Sequence, residues 1–397
     1  MRAQGIIQEF LDRNCEFIHA KRRAALAAMA CAGSRGCLSL MGLSKSLGGH
    51  TGIRHRIKRC DRLLGNQKLS NTRPAIYGAM ARRLLQGNNR PAIIVDWSDL
   101  RADRSWQVLR AAIIVKRRAV TLYEEVHPMS AAASQKVHKA FLGQLKAILP
   151  TGCRPVLVTD AGFRSTWFKL LDSMGYSWIG RIRNRDMIRP QDCYGQWCGC
   201  KVLYPLARTS AKDLGAFEYV RQHPVACRLV LIRRRAAGRH HRTVHGKRTR
   251  SAHSLKQSKA NKEPWLLATS TDLRDLPADT VVAIYAGRMQ IEQTFRDTKN
   301  GRWGLGLSYS QTRRKDRLEC LLLIGALACY ALWIIGITAR FAGYRVEYGS
   351  KCKGASALSI LSLARWWIDE FPDLAIPTAL VDDALHILSS MAKQASI

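Results

Sequence analysis

Acidic residues are scarce in this sequence. Only 29 Asp and Glu stand against 64 Lys and Arg over 397 residues, which leaves a formal net charge of +35 and a pI near 10.4. So lopsided a balance excludes an electrically neutral surface and draws a polyanion, nucleic acid first and an anionic membrane surface second. A secretory leader is also missing from the reading: MRAQGIIQEFLDRN at the start carries Glu9 and Asp12 and no long apolar core. Twelve cysteines are present but scattered, with no disulfide framework, so free thiols in a reducing cytoplasm are expected. Cys193, Cys198 and Cys200 crowd into CYGQWCGC without a second pair to complete a zinc site, and they read as small buried residues or loop thiols. Long hydrophobic runs are missing too, with one exception. LLLIGALACYALWIIGITA, residues 321 to 339, has nineteen residues, no charge and the length of a membrane span. It follows directly on the polar, basic run TRRKDRLEC, and a helix at the centre of a large core has the same composition. The core helix is the expectation, with no membrane partner.

What is present suits a globular chain with room for roughly two or three domains and a sizeable core. Residues 1 to 85 read as helical, through IIQEFLDRNCEFI and RRAALAAMACA. SLMGLSKSLGG and HTGIRHRIKRCDRLLGN follow, a short helix, a Gly-containing turn and a second helix. In the second, Ile53, Ile57, Cys60 and Leu64 form an apolar stripe. Arg54, His55, Arg56, Lys58, Arg59 and Arg62 occupy the rest. The pair reads either as a helix-turn-helix whose second helix enters a major groove or as a solvated basic face of a bundle.

After the linker QGNNR (86 to 90), PAIIVDWS is a buried strand. VLRAAIIV and AVTLYEEVH form a hairpin, and residues 134 to 149 an amphipathic helix. RPVLVTD, GFRSTWFKLLDSMG and YSWIGRIR then read as strand, helix and strand. The expected class is α/β with a mixed sheet flanked by helices. Residues 184 to about 270 break the pattern with short β-like runs. Within them, residues 233 to 262 hold eleven Lys or Arg and no acid, a block expected to be disordered when free.

Two acids end apolar runs: Asp96 in AIIVD and Asp160 in VLVTD. A carboxylate there is costly unless paired, hydrogen-bonded or bound to metal. Each also reads as a turn starter or helix N-cap. Later, YAGRMQIEQTFRDTK places Tyr285, Arg288, Glu292 and Lys299 at spacings of 3, 4 and 7, one face of a helix expected to start near Leu276 with Thr280 as N-cap. If Asp96, Asp160 and Glu292 meet, three carboxylates suit Mg²⁺ and phosphodiester chemistry.

These residues resemble the DDE cut-and-paste transposases of bacterial insertion sequences, in the group with a Y-x2-R-x3-E-x6-K signature. Tyr285, Arg288, Glu292 and Lys299 match it at every spacing, and CDRLLGN, VDWSDLR, TLYEE, TDAGFR, EPWLLATS and RMQIEQTFRD are similar to the family's blocks. The resemblance spans about residues 15 to 340. It implies an RNase H-like core interrupted by a β-rich insertion, with helical N- and C-terminal regions. It implies Mg²⁺ (Mn²⁺ as substitute) on the catalytic acids Asp96, Asp160 and Glu292, Asp99 being a rival for the first.

The same resemblance implies DNA contacts from Tyr285, Arg288 and Lys299, and a base-stacking role for Trp265, which otherwise reads as a core residue. The N-terminal DNA contacts are expected from Arg54, Arg56, Lys58, Arg59 and Arg62. The implied organisation is a DNA-end-binding domain (1–85), a catalytic core in two parts (86–183 and 271–345) around the insertion (184–270), and a C-terminal helical region (346–397) that offers a dimer contact. The implied activity is excision from terminal inverted repeats through a DNA hairpin, then strand transfer, by a homodimer acting on double-stranded DNA in the bacterial cytoplasm, associated with the nucleoid. The alternative within the fold is a non-transposing Mg²⁺-dependent nuclease. Outside it stand a helix-turn-helix regulator and a small basic membrane protein.

Overall fold

The computed structural model describes residues 1–115, 118–132, 134–183, 186–192, 195–234, 250–343, 358–372 and 375–394. Two compact units emerge, Met1–Arg154 with Met289–Ile397, and Pro155–Arg288.

The first unit opens with helices α1 (Ala3–Asn14), α2 (Ala20–Arg35), α3 (Leu40–Ser46), α4 (Ile53–Leu64) and α5 (Gln67–Leu84). The starts of α3 and α5 follow from short polar side chains that satisfy free amides. Ser39 accepts from Gly42 N at 3.0 Å, and Asn66 accepts from Leu69 N at 2.8 Å. Helix α1 buries Ile6, Ile7, Phe10 and Leu11, the i, i+4 face its sequence dictates. In α4 the buried stripe is Cys60, Leu63 and Leu64; Ile53, expected in that stripe, is 47% exposed because the stripe closes only over the helix's second half.

Three antiparallel strands follow: β1 (Ala92–Asp99), β2 (Trp106–Val115) and β3 (Arg118–Pro128), ordered β3-β2-β1. Asp96 was expected to end its strand. Instead β1 runs on to Asp99, because Trp97, Ser98 and Asp99 keep pairing with Leu109, Val108 and Gln107. Helix α6 (Gln135–Ile148) is capped by Ser134 and buries Phe141, Leu142, Leu145 and Ile148.

The second unit carries β4 (Val156–Thr159), α7 (Ser165–Ser173) and β5 (Ser177–Ile182), with β4 and β5 parallel across the helix. The Phe168 ring of α7 stacks on Trp178 at 4.2 Å. The β-rich segment then adds β6 (Met187–Pro190), β7 (Cys198–Gly199), β8 (Lys212–Tyr219) and β9 (Val225–Ile232). Helix α8 (Ala252–Asn261), β10 (Trp265–Thr269) and α9 (Ala278–Gly287) complete the unit. The strand order is β4-β5-β10-β9-β8-β6-β7, so the segment extends the sheet edge of β5 through β10. Part of the basic run expected to be disordered forms α8; residues 235–249 lie outside the described residues. Buried Arg228 of β9 braces the approach to α9, donating to the Leu273 and Leu276 carbonyls at 2.9 and 2.6 Å and pairing with Asp213 at 2.6 Å.

Back in the first unit come α10 (Gln290–Lys299), α11 (Lys315–Phe341), α12 (Ile360–Glu370) and α13 (Thr378–Gln394). One continuous helix through the signature was expected, capped by Thr280. The chain instead makes α9, with Pro277 at its N-cap, and α10. Gly287 weakens the helix there by about 1 kcal/mol, and Arg288 N bonds the Tyr285 carbonyl three residues back at 3.1 Å, which tightens and closes the last turn.

Helix α11 is the apolar run. It is long enough to cross a membrane, but 94% of its most apolar stretch is buried inside the protein, against α1, α2, α5, α12, α13 and β3. Each large apolar side chain buried this way contributes roughly 1.5–3 kcal/mol, so α11 is the core helix that the sequence suggests. The ten cysteines among the described residues are free thiols; Cys193 of CYGQWCGC lies outside them.

Candidate active site

The three-stranded ribbon of the first unit separates its polar residues by the two-residue period of a strand. Asp96 faces one side with its cross-strand partner Arg110. Arg110, with a side chain 2% exposed, pairs with Glu124 of β3 at 2.6 Å and donates to Thr298 Oγ1 of α10 from two nitrogens, each at 3.3 Å. Lys299 donates to Ser98 Oγ at 2.9 Å and to the Asp99 carbonyl at 3.0 Å. Helix α10 therefore covers the face of β1 that carries Asp96 and Ser98.

Another side of α10 faces β3. Thr294 Oγ1 donates to the Ala119 carbonyl at 3.0 Å, and Asp297 pairs with Arg118 at 3.3 Å. Glu292, seven residues before Lys299, shares the Lys299 side of the helix. It lies about 10 Å, or two turns, toward the N-terminus. Burial, reinforced by Arg110, holds the Lys299 ammonium below the ordinary lysine range, against a smaller opposing effect of Asp99.

The two strand acids differ in their bonding. Asp96, half-buried, accepts from Trp97 N at 2.8 Å through Oδ1. Asp99 is bonded to β2 and to the loop before it, accepting from Gln107 of β2 at 2.6 Å and pairing with Arg104 of the loop at 3.6 Å.

Arg110 and Glu124 escaped the reading of the sequence. The signal was there: a single Arg in VLRAAIIV and a Glu in TLYEE lie at almost equal distances from the junction of the two expected strands. Glu124 also takes the Tyr77 hydroxyl at 2.9 Å, and its carbonyl accepts from Arg73 at 2.5 Å. Arg73 pairs in turn with Glu319 of α11 at 3.1 Å.

In the second unit, Asp160 directly follows β4, and its Oδ1 accepts from Gly162 N at 2.7 Å, so TDAG closes as an Asx-turn. Tyr285 is 4% exposed and meets Trp265 edge to face, ring centroids 5.0 Å apart. Burial pushes the phenol above its ordinary value; the nearby Asp160 carboxylate pushes the same way, while Arg288 and Arg181 oppose it. Arg288 lies 5.8 Å from the Tyr285 ring centre. Trp265 is half-buried in β10, and the Arg234 guanidinium lies over its ring at 4.6 Å.

On α4, Arg54, Lys58, Arg59 and Arg62 are exposed. Arg56 is bound to the preceding turn, donating to the Thr51, Leu47 and Gly49 carbonyls at 2.8, 2.8 and 2.6 Å.

The oxygen donors of Asp96, Asp160 and Glu292 suit a hard divalent cation by chemistry. Among the described residues no three His, Cys, Asp or Glu side chains form a ready-made metal cage. A family model described as "Transposase DDE domain" matches residues 87–329, which takes in all three acids, Trp265 and the four signature residues. No curated protein matches the chain.

Proposed function

The chain belongs to the family of transposases with a DDE domain, enzymes of DNA transposition that generally use divalent metals, and from that premise we propose that it excises a bacterial insertion sequence and joins it to target DNA. The packing of α10 on the Asp96 face of β1 carries this reading, because it puts Asp96 and Glu292 on one layer of the first unit. Asp160 is the third acid, from the end of β4. Asp96 is favoured over Asp99 because it shares with Ser98 the face of β1 that α10 covers, whereas Asp99, three residues on, falls on the other face.

Mg²⁺, with Mn²⁺ as substitute, fits this all-oxygen donor set and, when bound, supplies the positive charge that lets a phosphodiester approach three acids. The protein's own residues do the rest. Lys299 holds the end of β1 and brings positive charge beside the site. Arg288 offers its guanidinium to a backbone phosphate. Tyr285 supports the Trp265 ring from its edge. Trp265 receives a base flipped from the element end, which relieves the strain of the DNA hairpin; Arg234 then leaves its face or stacks on the base. Residues 1–85 bind the terminal inverted repeats through the exposed cations of α4, and a homodimer brings two ends together in the cytoplasm.

The test uses labelled DNA from the flanks of the gene. Asp96→Asn, Asp160→Asn and Glu292→Gln each abolish Mg²⁺-dependent nicking while end binding persists. A variant that nicks near the parent rate removes its residue from the site, and products that stop at hydrolysis without strand transfer make the protein a nuclease.

A further inference from the structure

Four residues beyond Lys299 the first unit exposes an aromatic and basic cleft that the function above does not use. It encloses about 570 Å³ and is lined by Arg35, Arg302, Trp303, Arg365, Trp366 and Asp369, among others. Trp303 is 68% exposed and Trp366 50% exposed, although each carries a large apolar ring. Their positions are set by the backbone. Asn300 Oδ1 accepts from both Arg302 N and Trp303 N at 2.8 Å, which folds the loop after α10. Gly304 follows, where any Cβ would lie 2.2 Å from the Asp297 carbonyl oxygen, and Gly306 has φ +65°. The loop therefore holds one shape. Helix α12 buries Leu363, Ala364, Trp367 and Ile368, which leaves Trp366 outward.

We infer that this cleft is a second DNA-binding site, which takes unpaired nucleotides by stacking bases on Trp303 and Trp366 and pairing phosphates with Arg35, Arg302 and Arg365. Exposed indoles among guanidiniums are the combination that single-stranded nucleic acid recognises, because every base has a π-face and every linkage a negative charge. The Arg302 guanidinium already lies 5.0 Å from the Trp303 ring centre, the geometry of a cation–π pair. The volume falls within the roughly 300–1,000 Å³ of clefts that hold small organic ligands, the size class of a nucleotide. Charge decides between DNA and a second copy of the chain. A symmetric dimer through this surface would set arginines against arginines, with one Asp among the named lining residues to offset them.

The site is independent of the transposase reading, and its test is too. The full chain is photocrosslinked to a single-stranded oligodeoxynucleotide carrying 5-iodouracil, and the attached peptides are mapped by mass spectrometry. Attachment at Trp303 or Trp366 is expected. In anisotropy titrations, Trp303→Ala and Trp366→Ala each weaken single-strand binding about tenfold, while Trp303→Phe retains most of it. Arg302→Ala and Arg365→Ala each lower the salt slope by about one phosphate contact. Trp303 is the more exposed indole, so the melting temperature of Trp303→Ala stays at the parent value, and both Ala variants are titrated at matched folded concentration, which separates lost binding from lost folding. Crosslinks confined to other residues, with Ala variants binding within twofold of the parent, overturn the site. So does a change of oligomeric state in sedimentation with DNA binding unchanged, which would give the surface to a second copy. Metal-dependent nicking at element ends persists in either case if the transposase reading holds.

Discussion

The Arg110–Glu124 pair is the sharpest place to perturb the first unit. Both side chains are almost fully buried, at 2% and 1% exposure, and the guanidinium contacts Glu124 Oε2 through Nε at 2.7 Å and Nη2 at 2.6 Å. Glu124→Leu strands a buried guanidinium and removes the acceptor of the Tyr77 hydroxyl. Breaking one side of such a pair costs about 3–5 kcal/mol, and an orphaned hydroxyl about 1–3 more before relaxation. Total stability of a domain is roughly 5–15 kcal/mol, so a single loss of this size is visible at once.

Replacing both partners, Arg110→Met with Glu124→Leu, removes the uncompensated charge, and most of the stability returns, because an apolar pair of similar volume is often neutral or better. Activity does not return with it. Thr298 loses its tie to β2, so α10 keeps its ties to β1 through Lys299 and to β3 through Thr294 and Asp297 but none to the strand that carries Arg110 opposite Asp96, and the nicking rate falls about ten- to a hundredfold. Urea unfolding followed by tryptophan fluorescence, in a full double-mutant cycle, measures the first effect, and nicking at matched folded concentration the second. A double variant as unstable as Glu124→Leu refutes the pairing energetics. A double variant that nicks at the parent rate refutes the tether.

Burial lowers His138 from its ordinary 6.5 to about 4, a backbone hydrogen bond opposes the shift, and His127 adds to it; Nε2 accepts the Trp97 indole N–H at 3.3 Å. The unfolded chain therefore binds a proton that the folded chain does not, so stability is full above about pH 6.5 and is lost as pH falls toward 4. His138→Gln flattens that window in urea titrations, and an unchanged slope would show that His138 is not its source. Trp265→Ala slows hairpin closure about tenfold to a hundredfold and spares the first nick; equal loss of both steps in a labelled-end time course would make Trp265 a core residue. Lys58→Ala and Arg59→Ala each reduce the salt slope of end binding by about one, and unchanged slopes would place α4 away from DNA.

Much of the secondary structure was legible because local rules decide it. Four of the five N-terminal helices, the antiparallel pairing of β2 with β3 and the helix after Ser134 follow from apolar periodicity and capping. The transposase family was legible in Tyr285, Arg288, Glu292 and Lys299, whose spacings need no structure to measure. Neighbours in space were not legible. One face of one helix was expected for those four residues, yet Gly287 and a tight turn at Arg288 divide them between α9 and α10. The length of β1 past Asp96 was decided by pairing with β2, and the place of the β-rich segment by β10 bonding to both β5 and β9.

The sequence by itself determined which residues are chemical and which runs are apolar, because both are properties of composition and local spacing. Only the tertiary structure decided that Arg110 must answer Glu124, that Lys299 is tied to the end of β1, that the Arg56 side chain is bonded to the turn before α4 and that α11 is surrounded by protein. Those outcomes depend on strand register and on the burial of charge, which couple residues far apart in the chain and leave no mark on either partner's immediate neighbours.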